Sequence, residues 1–337
     1  MIKYFLRRLV MLIPVLILVL VIIFSLARII PGDPAASLLG PGATNEQIEA
    51  LRAQLHLDDH LFKQFTSYAS GLFVGDMGSS MKTGRPVFDE ILSRLPATLE
   101  LSIIATLMAL VIGIPSGVFS AIRANTAFDH ANRAFSLVGV SAPAFLLALI
   151  LQLIFGVYLG WLPVSGRLSP YIIADPITGF IILDGIISGN YELAWDGFLH
   201  VLLPASVLAA FLGATIGRFV RTSMLEVLGE DYIRTARAKG LAERIVIFVH
   251  ALRNSLLPAV TIVGLKFAEM LGGAILTETV FAWPGIGRFM FEAIKNRDYP
   301  VIQGNTLVFA LLFMLTSLIV DALYGYLDPR IRTRISR

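Results

Sequence analysis

Six long apolar runs constrain the fold of this 337-residue chain more than any single motif does. A helix needs about 20 apolar residues to cross the hydrocarbon core of a membrane, and each run is about that long or longer. The runs cover residues 9–27, 101–122, 134–162, 197–217, 258–277 and 301–320. The sequence therefore predicts an all-α, polytopic membrane protein with about six transmembrane helices.

The amino-acid composition agrees with this class and limits the chemistry of the chain. Hydrophobic residues make up 56% of the sequence and charged residues 15%, whereas an average soluble protein has about 25% charged residues. Cysteine is absent, which excludes disulfides, thiolate metal sites and cysteine nucleophiles. The net charge of +3 is small, so we expect no nucleic-acid partner.

The first apolar run follows Lys3, Arg7 and Arg8, an arrangement that a cleaved signal peptide also has. The run is long for such a peptide, and it ends in SLARIIPGDP rather than in the small residues of a cleavage site. We therefore predict that residues 1–30 form an N-terminal cytoplasmic end and a retained first transmembrane helix.

The distribution of Lys and Arg predicts which side of the membrane each loop occupies. Six spans place both termini on one side, and the loops of that side carry 16 Lys and Arg residues against nine on the other. Loops rich in Lys and Arg face the cytoplasm, so we expect both termini to be cytoplasmic in the cell inner membrane. The chain then divides into an extracytoplasmic region 31–96, a core 97–330 with five transmembrane helices and a cytoplasmic loop 218–257, and a tail 331–337.

Two stretches outside the predicted spans carry local structural signals. Thr44 and Gln47 have the spacing of a capping box at the start of a helix. The apolar stretch 177–183 is too short to cross a membrane, so it lies either in a folded loop or along the membrane interface. The role of the loop 163–197 stays open at this point.

The sequence offers little support for catalysis by this chain. Its five histidines lack the spacing of a zinc site, and no GxxxxGK[ST] loop is present to bind ATP. Ser116 and His200 could form a nucleophile and base only as part of an intramembrane hydrolase, without a third orienting group. We therefore predict no catalytic residue, no metal site and no enzyme activity.

Ionisable residues within the apolar runs are candidates for a translocation path, because a charge in lipid needs a partner or water. Lys266 and Glu269 lie near the middle of the fifth run and share a helix face. Asp321 follows the last run. Lys266 and Glu269 either form a structural ion pair at a helix contact or line a water-accessible path, and both interpretations stay open.

The basic stretch YIRTARAKGLAERIVIFVHALRNSLLP, residues 232–258, has the pattern of two helices joined by a glycine. Residues 231–238 form the first helix, and Gly240 is placed to end it in a left-handed conformation. In the second helix, Leu241, Ile245, Phe248 and Leu252 make an apolar stripe, and Pro258 begins the next span. Such a unit either docks into a groove of another protein or anchors to anionic lipid.

This stretch resembles the cytoplasmic loop of ABC-importer permease subunits through Ala236, Gly240 and the Leu-Leu-Pro at 256–258. Arg234 and Thr235 stand where that loop has Glu and Ala, and Gly240 lies 18 rather than 13 residues before Pro258. In both of these departures the stretch resembles the branch of permeases for dipeptides, oligopeptides and nickel. Further similarities are IIPGDP, GDMGSS, ETVFAWPGIGR, RDYPVIQG and VDALYGYLDPRIR, at 29–34, 75–80, 278–288, 297–304 and 320–332.

The resemblance, closest to the first permease of a heterodimeric pair, implies a type I ABC importer fold and a set of partners. These are a second homologous permease, two ATPase subunits that use ATP and Mg, an extracytoplasmic substrate-binding protein and membrane lipid. It implies no cofactor on this chain and a coupling role for residues 235–256. The residues expected to contact or position the ATPase are Arg234, Thr235, Ala236, Gly240, Leu241, Glu243, Arg253, Asn254 and Pro258.

The transported solute is less defined than the importer class. Dipeptides or oligopeptides are the first expectation from the resemblance, and nickel, glutathione or opine-like and sugar-like solutes are alternatives. A stand-alone secondary transporter or channel is the alternative of a different class, in which the basic loop serves only to fix topology.

Overall fold

The computed structural model describes residues 2–29, 34–40, 42–54 and 58–327 of the chain. Within these ranges the chain is helical almost throughout, with an isolated β-bridge between Ser79 and Pro86. Two stretches, Gln152–Tyr158 and Val246–Ala251, are π-helical. The α-helices are α1 (Ile2–Ile29), α2 (Pro34–Leu39), α3 (Asn45–Gln54), α4 (Leu61–Phe73), α5 (Val87–Ile122), α6 (Ala127–Ser141), α7 (Ala144–Leu151), α8 (Ile181–Ile187), α9 (Tyr191–Leu228), α10 (Asp231–Ala238), α11 (Glu243–Ile245), α12 (Leu252–Gly273), α13 (Ile275–Val280), α14 (Ile286–Asn296) and α15 (Tyr299–Leu327).

The long helices confirm the predicted all-α membrane fold. Among the described residues, Val87–Ile122, Tyr191–Leu228 and Tyr299–Val320 are each long and apolar enough to cross a membrane. Two bent helix pairs raise the number of spans to five if each pair crosses once. The first predicted run falls in α1, whose described apolar part, Ile13–Ser25, is shorter.

The third predicted run, residues 134–162, is not one helix as expected. α6 and the Ala144–Tyr158 stretch meet at an angle of 106°. At the break, Ala142 has an extended backbone (φ −71°, ψ 134°) and Pro143 follows it. Proline crowds the residue before it out of the helical region, so the chain turns here instead of continuing.

The fifth span also differs from the sequence expectation, because Pro258 does not begin a helix. It lies inside α12, and the stretches Glu243–Leu256 and Pro258–Gly272 meet at a bend of 50°. Proline has no N–H, so the carbonyl of Asn254 loses the helical hydrogen bond that another residue at 258 would donate. The helix therefore continues through this position but changes direction.

The contact between α5 and α9 is too close for side chains at several positions. A Cβ atom at Gly113 would lie 2.7 Å from the carbonyl oxygen of Gly213, and one at Gly117 would lie 2.5 Å from that of Gly217. A Cβ at Gly217 would lie 2.8 Å from Oγ of Ser116. Pairs of small residues four positions apart allow the backbones of membrane helices to approach in this way. The two helices form the centre of the molecule.

Some segments outside the spans have local structure or contacts of their own. For clarity, the side that carries α8 and the start of α9 is called the outer end, and the side that carries α10 the inner end. Thr44 and Gln47 exchange the two hydrogen bonds of the predicted capping box, at 3.0 and 3.3 Å. The GDMGSS stretch forms turns, and the hydroxyl of Ser80 donates to the buried carboxylate of Asp298 at 2.6 Å.

Gly117→Ala should destabilise the protein by about 1–3 kcal/mol, because the added methyl group would overlap the carbonyl oxygen of Gly217. Gly272→Ala is the matched control, since no atom lies within 4 Å of a Cβ at Gly272. The measurement is thermal unfolding of both variants in detergent. Equal unfolding temperatures for the two variants would contradict a close α5–α9 contact.

Candidate functional site

The inner end of the molecule carries the predicted helix–glycine–helix unit. α10 spans Asp231–Ala238, as the sequence predicts, and Gly240 has the expected left-handed backbone (φ 76°). The N–H of Gly240 donates to the carbonyl of Arg237 at 2.9 Å, and that of Leu241 donates to the carbonyl of Ala236 at 3.4 Å. These two bonds form a Schellman motif, which fixes the angle at which the chain leaves α10.

One face of the 231–251 segment packs against the inner ends of the membrane-spanning helices. Ile233, Val246 and Ala251 are fully buried, in the same apolar cluster as Val220 and Met224 of α9. Burial of a large aliphatic side chain contributes about 1.5–3 kcal/mol. The segment is therefore joined to the inner half of the α5–α9 pair by apolar packing.

The opposite face of the 231–251 segment is apolar and uncovered. Leu241, Ile245, Phe248 and Val249 are 39%, 42%, 49% and 56% exposed. The regular 3.6-residue spacing predicted for this stretch is wrong, because Val246–Ala251 form a π-helix with i→i+5 hydrogen bonds. With this altered period, Val246 and Ala251 are buried while Phe248 and Val249 face outward.

The Arg237–Glu243 ion pair joins the two parts of the unit across the glycine. Arg237 donates to the carboxylate of Glu243 at 2.7 and 3.2 Å. This hydrogen bond raises the pKa of Arg237 and lowers the pKa of Glu243. Arg234 pairs with Asp231 at 3.3 Å with both side chains exposed, and the Thr235 hydroxyl donates to the Asp231 carbonyl at 2.9 Å.

The remaining residues of the predicted coupling set lie in different surroundings. Ala236 is 8% exposed and packs inward, so it supports the segment and does not form part of its outer surface. Arg253, Asn254 and Pro258 are exposed. The side-chain amide of Asn254 donates to the hydroxyl of Tyr232 at 2.8 Å and thereby links α12 to α10.

The mid-span charges form a pair in the structure. Nζ of Lys266 lies 2.5 Å from Oε2 of Glu269, with the two side chains 41% and 57% exposed. The two side chains are therefore partly exposed on the surface of this chain and are not buried in a contact between its own helices. The side chain of Asp321 and the tail 331–337 lie outside the described residues.

At the outer end, a buried carboxylate that the sequence analysis missed organises the loop before α14. Glu278 is fully buried and accepts the hydroxyl of Thr98 at 2.7 Å and the N–H of Arg288 at 2.8 Å. It also accepts the N–H of Gly287, and Thr98 in turn accepts the N–H of Ile286 at 2.9 Å. Because these N–H groups belong to the first turn of α14, Glu278 caps that helix and ties it to α5.

A second buried contact fixes the loop before α8 to the same end of α5. Arg167 donates to Glu100 at 2.5 and 3.2 Å and to the carbonyl of Gly179 at 2.7 Å. The other oxygen of Glu100 accepts the N–H of Ile182 at 2.9 Å. The guanidinium also lies 5.7 Å from the ring centre of the buried Trp283. The outer loops are thus fixed by buried polar contacts.

Among the described residues, a comparable polar contact lies at the inner end, and it too was missed from the sequence. Asp129 is fully buried and receives two hydrogen bonds from Arg221, at 2.6 and 2.7 Å. The hydroxyl of Ser120 and the N–H of Asn125 donate to the same carboxylate. This contact joins α5, α6 and α9, and removal of one charged partner from such a pair costs about 3–5 kcal/mol.

The structure does not assemble the hydrolase pair considered from the sequence. Ser116 donates to the carbonyl of Gly113 at 2.9 Å and lies beside Gly217. His200 lies 17 residues earlier than Gly217 on α9, about 25 Å along the helix, and contacts the carbonyl of Asp196. Across the described part of the chain, no group of three or more His, Asp or Glu side chains is arranged to hold a metal ion.

Glu278→Gln should change how stability depends on pH. Burial raises the pKa of Glu278 to about 7 from 4.5, although the Thr98, Arg288 and Gly287 donors act in the opposite direction. A raised carboxyl pKa means that the folded state holds the proton more tightly, so stability is lost as the pH rises through about 7. The loss between pH 4.5 and 8 is on the order of 3 kcal/mol.

The measurement is thermal unfolding at pH 5 and pH 8 in detergent. Glu278→Gln should show a smaller drop between the two pH values than the parent chain. Glu292→Gln, in the exposed part of α14, is the control and should keep the parent profile. Parallel profiles for the parent and Glu278→Gln would refute the assigned role of this carboxylate.

Comparison with known proteins identifies the family of the chain. Residues 113–333 match the family described as binding-protein-dependent transport system inner membrane component. Residues 1–102 match the N-terminal region of such a transport-system membrane component. The chain belongs to this family. It is a permease subunit of an ABC importer, a non-catalytic, multi-pass membrane component, and the family works with a second permease, ATPases and a binding protein.

Several curated relatives cover the whole permease. A dipeptide transport system permease protein of Alkalihalophilus pseudofirmus is 48% identical over 98% of this chain and 100% of its own length. The dipeptide permease of Escherichia coli K12 is 45% identical over 98% of this chain and 99% of its own length. A glutathione transport system permease of Escherichia coli O6:H1 is 41% identical over 98% of this chain and 99% of its own length.

One solved structure shows a distant likeness to the permease. It is the MetNI methionine ABC transporter in inward-facing conformations, aligned over 69% of this chain and 93% of its own, with a TM-score of 0.49 and 16% identity.

Proposed function

We propose that this permease subunit imports dipeptides. The observation that carries the proposal is the identity of 48% and 45%, over 98% of the chain, to two permeases named for dipeptide transport. The glutathione permease, at 41% identity, makes that tripeptide the second candidate. The relatives named here give no comparable support for nickel or for opine-like and sugar-like solutes.

The substrate proposal is tested by uptake in cells that lack their own dipeptide permease. The full chain is expressed together with the second permease, the ATPases and the binding protein of its importer, and labelled dipeptide, glutathione and nickel are offered separately. We expect dipeptide uptake that depends on this chain and is suppressed by excess unlabelled dipeptide. Uptake of glutathione or nickel without dipeptide uptake would contradict the proposal.

We further propose the arrangement of the complete importer. The permease pairs with a second homologous permease in the cell inner membrane, two ATPase subunits bind at the inner end, and a substrate-binding protein delivers solute at the outer end. ATP and Mg are used by the ATPase subunits. The excess of Lys and Arg in the loops of the inner end supports cytoplasmic termini.

The 231–251 segment is proposed as the element through which the ATPases act. Its outward apolar face, Leu241, Ile245, Phe248 and Val249, is suited to a hydrophobic groove in a partner protein. Its buried face packs with the inner half of α9, so a displacement of the segment moves the membrane helices with it. Exposed Arg234, Thr235, Glu243, Arg253 and Asn254 would surround the apolar contact.

Gly240 provides a graded test of coupling, because only its backbone conformation restricts substitution. Its φ of 76° is strained for other residues, while no atom lies within 4 Å of a Cβ there. Asparagine tolerates this conformation, alanine less well, and valine at a cost of about 1–3 kcal/mol.

We expect transport and transport-linked ATP hydrolysis to fall in the order Asn, Ala, Val at position 240. The measurements are solute uptake and ATP hydrolysis in vesicles that hold the complete importer. Gly240→Asn is the matched control for the loss of glycine itself. Normal coupling in Gly240→Val would show that the Schellman motif is not needed to transmit movement.

The Lys266–Glu269 pair is proposed to face the translocation path between the two permeases. A half-exposed ion pair in mid-span costs several kcal/mol in contact with lipid, so water or a polar partner must cover it. The pair therefore supports a path along this face of α12. Asp321, the third candidate from the sequence, stays a candidate on its position alone.

Neutralisation of one member of the pair should impair transport more than neutralisation of both. Lys266→Met or Glu269→Gln leaves one uncompensated charge in mid-span, whereas the double variant leaves none. The measurement is dipeptide uptake at matched levels of membrane-inserted protein. Normal uptake in both single variants would argue against a position on the path.

A further inference from the structure

The short helix α8 turns its charged residue inward and its aliphatic residues outward. Asp184 is 1% exposed and accepts the N–H of Thr178 at 2.8 Å and that of Gly179 at 3.0 Å. Ile186 and Ile187 are each 56% exposed, and Leu183 is 45% exposed. The carboxylate is thus used to hold the preceding loop, and the outer surface of α8 is aliphatic.

Close packing fixes the position of α8 along α9. A Cβ atom at Gly185 would lie 2.5 Å from the backbone nitrogen of Ala194, and one at Gly197 would lie 2.6 Å from Cγ2 of Ile181. The two helices therefore touch without room for a larger side chain at either glycine. This contact holds α8 at the level of residues 194–197 of α9.

That level is the boundary of the hydrocarbon core. The uncharged run of α9 starts at Gly197 and extends for 21 residues, about the length needed to cross the core. Trp195 lies two residues, or about 3 Å, before this run, and Tyr191 lies about 9 Å before it. The headgroup layer on each side of the core is about 5–8 Å thick, so α8 and these two residues fall in or next to that layer.

The first turns of α9 extend the exposed surface of α8 with aromatic residues. Tyr191, Trp195 and Phe198 share one helix face and are 75%, 62% and 36% exposed. The rings of Trp195 and Phe198 are 5.7 Å apart. Asp196, between them in sequence, is turned inward and accepts the N–H and hydroxyl of Ser169 at 2.8 and 2.7 Å. Trp and Tyr are enriched where a membrane meets water, because each ring joins an apolar body to a polar tip.

We propose that α8 and the first two turns of α9 form an interfacial anchor, whose surface lies in the headgroup layer of the leaflet at the outer end. Its occupant is phospholipid. The surface is continuous with the membrane-spanning part of α9. Of the three acidic residues in these two elements, Asp184 and Asp196 are withdrawn from the surface into hydrogen bonds with the loop 163–180. The third, Glu192, is exposed about 8 Å before the uncharged run, at the water side of the headgroup layer. The anchor thereby holds that loop at a fixed depth.

The depth of this surface can be measured with nitroxide labels, since the chain has no cysteine of its own. Ile187→Cys and Trp195→Cys are labelled in the full chain, reconstituted in vesicles of phosphatidylcholine and phosphatidylglycerol. Collision with oxygen, which concentrates in lipid, is compared with collision with a water-soluble nickel chelate. Val111→Cys, at a 72% exposed position in the middle of the apolar run 101–122, is the reference for lipid, and Lys82→Cys, whose side chain is 57% exposed, is the reference for water.

At both anchor positions we expect nickel collision below that at Lys82, and oxygen collision above that at Lys82 but below that at Val111, because the headgroup layer lies between water and the centre of the bilayer. Nickel collision equal to that at Lys82 would place the surface in water and overturn the proposal. Low collision with both reagents would show that protein covers the surface, and would equally overturn it.

A second measurement leaves the anchor surface unchanged. The chain has three tryptophans, and Trp283 is fully buried, so a Trp161→Phe background leaves Trp195 as the exposed indole. We expect lipids brominated near the headgroup to quench its fluorescence more than lipids brominated near the chain end. Quenching by aqueous iodide without quenching by either lipid would contradict the anchor.

Discussion

The close contact between α5 and α9 is the constraint on which the rest of the molecule depends. Gly113, Gly117 and Gly217 let the two backbones approach so closely that a methyl group at these positions would overlap backbone or side-chain atoms of the neighbouring helix. At the outer end, Glu278 and Arg167 attach the loops to α5 through buried hydrogen bonds. At the inner end, apolar packing joins the same two helices to the 231–251 segment.

The outer loops and the 231–251 segment therefore differ in the physical nature of their contacts. The outer loops are held by buried carboxylates with several donors each, which are directional and intolerant of small shifts. The 231–251 segment is held by apolar packing, a Schellman motif at Gly240 and the largely exposed Arg237–Glu243 pair. A segment held in this way can move as a unit with α9, which the proposed coupling to the ATPase subunits requires.

The sequence was sufficient to predict the features that depend on local periodicity and backbone conformation. The apolar runs predicted the membrane fold, Gly240 predicted the end of α10, and Thr44 with Gln47 predicted a helix start. The bend at Pro143 and the continuous helix through Pro258 were not predicted, because proline can end a helix or only bend it. The π-helix at 246–251 shifts the apolar faces in a way that a 3.6-residue period cannot anticipate.

The buried polar contacts could not be predicted, because their partners are far apart in sequence. Glu278 and Thr98 are separated by 180 positions, and Arg221 and Asp129 by 92. The glycine contact did leave a signal, since Gly113 with Gly117 and Gly213 with Gly217 each have the four-residue spacing of close membrane-helix pairs. The role of a glycine in packing becomes clear only when the opposing helix is known.

The most direct test of the account is Phe248→Asp, because Phe248 lies on the outward face of the 231–251 segment and is not needed for its packing. Phe62→Asp, at a 72% exposed position of α4, is the matched control. The measurement is co-purification of the ATPase subunits with the permease from membranes. The account predicts that Phe248→Asp inserts normally but loses the ATPases, while Phe62→Asp retains them. Retention of the ATPases and of transport in Phe248→Asp would contradict it.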